Sequence, residues 1–309
     1  MQLRLLAPRY WPTWAGLGLL RMLVWLPFPL LLGLGRGLGA LLRHLPSSFA
    51  RTARRNIELC FPELSREDRE RLFARHFASL GVALVEIPLA WWCPPAQFAR
   101  IVHVEGVAHL KAAQARGRGV ILLTGHFTTL EIGARALVTV TPAGVLYRPT
   151  KNAALAYVLQ RFRNAYGCRA IPHDNIRAFI AALKNNECVW YAPDQAFRKK
   201  GAEMVPVFGI PAATNTLTSR IARLTGAAVL PYFLHRLPGS AGYRAVFHPP
   251  LENFPSDDPA ADTERFNHLL EAQVRLAPEQ YLWIHRRFKG LTADYPDYYG
   301  RKAQRQTSP

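Results

Sequence analysis

Acidic residues are scarce: 21 Asp and Glu stand against 39 Lys and Arg in 309 residues, a formal charge of +18 at pH 7. That deficit predicts an anionic partner without choosing among nucleic acid, lipid headgroups and an acidic protein. Cysteine is sparse too. Cys60, Cys93, Cys168 and Cys188 show no CxxC or ligand-like spacing, which excludes a disulfide framework and a zinc site and fits a reducing compartment. There is no internal repeat, no low-complexity tract, no RNA-binding motif and no stripe of alternating aromatic and basic residues. The last two absences remove nucleic acid from the anionic partners.

What the chain does have is a long apolar run near its start. WPTWAGLGLLRMLVWLPFPLLLGLG, residues 11 to 35, contains nine leucines and a single charge, Arg21. A membrane span needs about 20 residues. Arg21 at mid-span would cost roughly 2.5 to 3.5 kcal/mol, which nine leucines at about 0.5 kcal/mol each can outweigh. Pro27 and Pro29 introduce a bend, so a tilted single span and a bent segment lying in the interface are both allowed. A cleavable signal peptide fits poorly, because no short charged region leads into a compact apolar core with a small-residue cleavage site. Only Arg4 and Arg9 precede the run, whereas Arg36, Arg43, Arg51, Arg54 and Arg55 follow it. The bulk of the chain then belongs on the cytoplasmic side, its arginines against anionic headgroups.

These patterns divide the chain into an N-terminal anchor with its basic flank (1–45), a single domain (46–300) and a disordered tail (301–309). LSREDRERLFARHFASLGVALVEI reads as an amphipathic helix capped by Ser65 with Asp68 and ended by WWCPP at 91 to 95. From residue 119 the chain alternates. Apolar runs at 119–124, 143–147, 187–192 and 227–234 are separated by helical stretches of roughly a dozen residues, the pattern of parallel strands with crossover helices. Asp174 is positioned to cap one such helix, and Thr214 or Asn215 another that stops at Gly226. Residues 248–264, rich in proline, read as a surface loop before a helix through Phe266, Leu269, Leu270 and Val274. The fold class is α/β, with a mixed, largely parallel sheet flanked by helices and an N-terminal hydrophobic anchor helix.

The stretch GVILLTGHFTTLEIGAR (119–135) carries the chemistry. His126 and Glu131 are five residues apart, about 140° around a regular helix after a full turn, so they meet only if His126 stands outside the helix. A strand ending at Thr124, a turn at Gly125 and a helix starting near Thr128 would put His126 where α/β proteins place functional groups. The helix dipole there disfavours imidazolium and keeps the ring able to accept a proton. Glu131 has a plainer reading, since Thr128-x-x-Glu131 is also a capping box. Ten histidines and 21 acids in 309 residues give about 0.7 chance matches to His-x4-acid, so the motif alone is weak.

No Ser or Cys lies beside His126 to act as nucleophile. A neutral histidine braced by a carboxylate then suits direct attack by a substrate hydroxyl on an acyl carbonyl, with Glu131 fixing the tautomer. Neither a metal nor another cofactor is required. A basic group should hold the developing oxyanion or a substrate phosphate. Arg148 ends the next apolar run, on the same sheet edge. Asp194 follows a strand in VWYAPDQ and could orient substrate or form an Asx turn. In WIHRRFK, His285 and Arg286 are candidates to grip phosphate, unless the run is a solvated face.

RYWPTW, TGHFTTLEIGAR, VLYRPTKN, ECVWYAPDQ and PEQYLWIHRRFK together resemble the late acyltransferases of lipid A biosynthesis, the lauroyl and myristoyl transferases of Gram-negative inner membranes. The similarity covers nearly the whole chain and is strongest to the lauroyl branch. It implies transfer of a fatty acyl chain from acyl carrier protein to a hydroxyl on a hydroxyacyl chain of a Kdo-bearing lipid A precursor. It makes His126 the base and Glu131 its partner, and gives Arg148 and Asp194 places in the site region. Anionic membrane lipid, phosphorylated substrate and acidic carrier then account for the basic surplus. A glycerolipid acyltransferase acting on lysophosphatidic acid shares His-x4-acid but usually shows Asn before the histidine, where this chain has Gly125. A membrane-anchored basic binding protein without chemistry would be indifferent to His126→Ala.

Overall fold

The computed structural model describes residues 3–147 and 150–300; Arg148 and the 301–309 tail lie outside them. Five helices come first: α1 (Trp11–Leu23), α2 (Phe28–Leu42), α3 (Ser48–Cys60), α4 (Arg66–Trp92) and α5 (Pro95–Ile101). Strands and helices then alternate through β1 (Val102–Glu105), α6 (Val107–Gln114), β2 (Val120–Leu123), α7 (Leu130–Val140), β3 (Ala143–Tyr147), α8 (Ala153–Ala165), β4 (Cys168–Pro172), α9 (Ile176–Lys184) and β5 (Cys188–Tyr191). An antiparallel ribbon, β6 (Ala202–Val207) with β7 (Ile210–Asn215), precedes α10 (Leu217–Thr225), β8 (Ala228–Arg236), β9 (Tyr243–Phe247) and α11 (Pro259–Leu276).

Seven strands form one sheet in the order β1-β9-β8-β2-β5-β3-β4. Every pairing is parallel except β8 with β9. β2 is buried along its whole length, as a central parallel strand covered on both faces should be. Alternation along the strands divides the core in two. Leu122, Trp190, Leu230 and Leu234 face a cluster shared with α2, α7 and α8, while Ile121, Leu123, Val189 and Phe233 face one shared with α3, α9 and α11. The α/β class and the largely parallel sheet agree with the sequence pattern.

The anchor departs from the expected single helix. The apolar run breaks at Pro27 into α1 and α2, of 13 and 15 residues, or about 20 and 22 Å at 1.5 Å per residue. Each is short of the roughly 30 Å hydrocarbon core. Both helices pack their inner sides on α4, with Leu31 and Leu32 of α2 fully buried. Gly35 and Gly39 of α2 lie so close to Gly81 of α4 that a Cβ on any of them would strike the backbone opposite. Leu19, Leu30, Leu34 and Leu41 point outward, with Trp11 and Trp25. The break at residues 24–27 is the bend that Pro27 and Pro29 allowed.

Among the described residues, α4 is the one helix long and apolar enough to cross a membrane, by length and composition, yet most of it is buried within the protein. Ser65 caps it as expected, accepting from Asp68 N at 3.0 Å. At its other end Arg135 donates to the carbonyls of Leu89, Ala90 and Cys93. Two expected boundaries move. Asn175, not Asp174, caps α9. α11 begins at Pro259, within the stretch read as loop, because Asp258 accepts from the amides of Ala260 and Ala261 and proline is tolerated in a first turn.

Candidate active site

β2 and β5 are parallel neighbours, with Leu123 opposite Tyr191, so the segments after them leave the sheet side by side at its carboxyl edge. His126 lies three residues beyond one strand and Asp194 three residues beyond the other. The two side chains meet there: His126 Nδ1 to Asp194 Oδ1 is 2.5 Å, and His126 N donates to Asp194 Oδ2 at 2.8 Å. Tyr281 donates its hydroxyl to the same Oδ2 at 2.9 Å. Asp194 is 2% exposed and His126 27%, so the acid is sealed while the ring reaches solvent.

The C-terminal segment clamps the His126 loop. Phe127 and Tyr281 form an isolated antiparallel bridge. Leu282 N donates to His126 O at 2.8 Å, and Thr128 N donates to Gln280 O at 2.7 Å. Gln280 is itself held by the end of β8, giving its amide to Arg236 O and accepting from Arg236 N.

Burial by itself would raise the Asp194 pKa, but the His126 ring, two hydrogen bonds from His126 and one from Tyr281 outweigh it and bring the carboxyl to about 2. Burial likewise works against a charged His126, and the Asp194 carboxylate more than offsets it, so the ring titrates above its ordinary 6.5. The dipole argument pointed the other way. It loses because α7 starts only at Leu130, too far from the ring for an effect that fades within a turn, while a carboxylate is in contact. The carboxylate holds the proton on Nδ1, leaving Nε2, which has no hydrogen-bond partner among the described residues, to accept one.

Asp194, and not Glu131, bonds His126 Nδ1, so the expected pairing of His126 with Glu131 is not a direct bond to that nitrogen. Nor is Glu131 a helix cap. Thr129 is the N-cap of α7 and makes no side-chain cap bond, and the Thr128 amide is taken by Gln280. Instead Glu131 Oε2 accepts from Trp91 Nε1 at 3.1 Å. His126 and Glu131 do share a cavity of about 240 Å³, whose other walls include Trp91, Leu130, Val138, Val145, Phe162 and Trp190. Trp91 stacks on Phe162 with ring centroids 5.3 Å apart. The space beyond His126 is therefore mainly apolar.

The remaining candidates separate. His285 accepts from Ala196 N at 3.3 Å and shares a small enclosed cavity with His126 and Asp194; burial lowers its pKa to about 4, so it is neutral. Arg286 is exposed, lies over the Tyr299 ring and lines neither cavity. Its neighbour Arg287 is buried and spends its donors on Ala213 O and Thr214 Oγ1. Asp194 forms no Asx turn; it holds His126. Tyr281 and Gln280 were not singled out by the sequence reading, although both belong to the string PEQYLWIHRRFK.

The family described as bacterial lipid A biosynthesis acyltransferase matches residues 1–290. The chain is 42% identical over 285 residues to the lipid A biosynthesis palmitoleoyltransferase of Escherichia coli (strain K12), covering 92% of this chain and 93% of that one. To the lipid A biosynthesis lauroyltransferase of the same organism it is 38% identical over 296 residues, 96% and 97% of the two chains. To the myristoyltransferase it is 27% identical over 289 residues, 90% and 86%. High similarity thus extends to the palmitoleoyl as well as the lauroyl relative, and does not single out the lauroyl branch.

Proposed function

The chain belongs to the bacterial lipid A biosynthesis acyltransferase family and is an enzyme of that class; from that premise we propose that His126 is its general base. The observation that carries this reading is the chain of contacts Tyr281, Asp194, His126, ending at an Nε2 that has no partner among the described residues and lies beside an apolar cavity. The acyl chain lies in that cavity with its carbonyl near His126. An acceptor hydroxyl gives its proton to Nε2 while its oxygen attacks the carbonyl. The tetrahedral intermediate then expels the carrier's thiolate, which takes the proton from the imidazolium and leaves as the thiol. Asp194 is a positioning residue that fixes the tautomer and stabilises the imidazolium. Glu131 adds negative charge on the cavity side of the ring and holds the Trp91 wall. Arg148, next in sequence after β3, is proposed to hold the oxyanion or a substrate phosphate, with His285 supporting the Asp194 side.

The proposed donor is acyl carrier protein loaded with a lauroyl chain. The proposed acceptor is a hydroxyl of a hydroxyacyl chain on a Kdo-bearing lipid A precursor. Residues 1–45 lie in the cytoplasmic interface of the inner membrane, with the 46–300 domain and its basic surface on the cytoplasmic side. Purified protein is to be offered carrier loaded with C10 to C16 chains and the tetraacylated Kdo-bearing precursor, with products read by mass spectrometry. Wild type should give a product one acyl chain heavier, and His126→Ala should lose it by about 10² or more. An undiminished variant overturns the role of His126.

A further inference from the structure

A second cavity, of about 560 Å³, is lined by Phe233 and His235 of β8. Leu230, Tyr232 and Leu234 of the same strand face the core that holds Trp190 and Val145 of the His126 cavity, so the two cavities lie on opposite faces of the sheet. We propose that this second cavity seats the phosphate of a membrane lipid headgroup, a role that stands whether or not His126 is the base.

Arg36, Arg75, Arg236, Arg244, His235 and His248 all line it, against a single acid, Glu279. Arg236 is committed to buried Glu86, and Arg244 to Glu105. Arg36 donates to Gly239 O at 2.6 Å, and among the described residues neither it nor Arg75 has a carboxylate within ion-pair distance. The independent observation is the histidine pair: Nε2 of His235 and Nε2 of His248 are both buried without a hydrogen-bond partner. Neither Nε2 is open to the cavity, so the two imidazoles form a polar wall behind the guanidiniums of Arg36 and Arg75, and it is those guanidiniums whose donors suit the acceptor oxygens of a phosphate.

Position favours a lipid over free phosphate. Arg36 lies on the flank of α2, whose outer side exposes Leu30, Leu34 and Leu41. A helix lying in the interface carries its flank at headgroup depth. Leu276, also on the cavity rim, is 72% exposed and offers an apolar surface to an acyl chain.

The test uses the full chain in neutral detergent micelles, its histidines labelled with ¹³C and the His248 signal identified from its loss in His248→Gln. Phosphatidic acid should move that signal saturably, while phosphatidylcholine and inorganic phosphate at the same concentrations should not. Arg75→Gln, at an exposed position, should weaken the response by about tenfold or more, as expected on removing a charge-assisted bond. Arg177→Gln, an exposed arginine on α9, should leave it unchanged. A signal indifferent to phosphatidic acid, a response to inorganic phosphate as strong as to the lipid, or an effect of Arg177→Gln equal to that of Arg75→Gln overturns the proposal.

Discussion

Asp194 accepts three hydrogen bonds, two from His126 and one from Tyr281, and with a pKa near 2 it stays ionised throughout the pH range of any assay. His126 must be neutral to take a proton, and its pKa lies above 6.5. The rate should therefore rise with pH through a midpoint above 6.5. Asp194→Asn keeps the shape but removes the charge that raises the ring, so the acid limb should move to lower pH. The rate at its plateau should fall by about 10² to 10⁴, because the amide permits the wrong tautomer. A pH profile of kcat for the two proteins checks both; a limb that stays in place would show that Asp194 does not set the His126 titration. The placement of His126 just beyond the end of β2, after Gly125, was legible. Its partner was not, because Asp194 is 68 residues away and the contact depends on β2 and β5 being neighbours, which no local pattern encodes.

At the scale of elements, the glycine contact between α2 and α4 sets how closely α2 sits on the body. Gly81 faces Gly35 and Gly39 with no room for a Cβ, so Gly81→Leu must drive the helices apart. Overpacking of this kind costs about 1 to 3 kcal/mol. The variant should melt at a lower temperature in detergent, and α2 should become the first site of proteolytic cutting. Cutting at an unchanged rate would mean that α2 is held by other contacts. The parallel strands and their crossover helices were legible because burial on both faces leaves continuous apolar runs. Less legible were β9, the β6–β7 ribbon and the first turns of α11, whose short or proline-bearing sequences gain their structure from tertiary partners and a cap. The break of the anchor was legible only as an option: Pro27 permits a bend, and the packing of Leu31 and Leu32 into the core selects it.

At the scale of the molecule, a chain of net charge +18 also exposes a band of leucine and tryptophan on its N-terminal helices, which suits a membrane surface carrying negative charge. Replacing Leu30, Leu34 and Leu41 with glutamine touches only outward side chains, so the melting temperature in detergent should hold. Each leucine, about half exposed, forfeits about 0.8 to 1.7 kcal/mol when withdrawn from lipid, so partitioning onto vesicles should fall by about 50-fold or more. Co-sedimentation with vesicles measures it, and undiminished binding would place the membrane contact elsewhere on the protein.

The clamp on the His126 loop also orders events in time. A nascent chain presents its N-terminal parts first, so β2, β5 and the His126–Asp194 encounter can form while residues 278–285 are still inside the ribosome. Until they emerge, the bonds from Leu282 to His126, from Thr128 to Gln280 and from Tyr281 to Asp194 are missing, and the imidazole is unbraced on that side. Residues 11–42 have by then long left the ribosome. Synthesis thus releases the N-terminal helices first and completes the brace on His126 last, so a chain that stalls midway lacks the three bonds that hold the His126 loop.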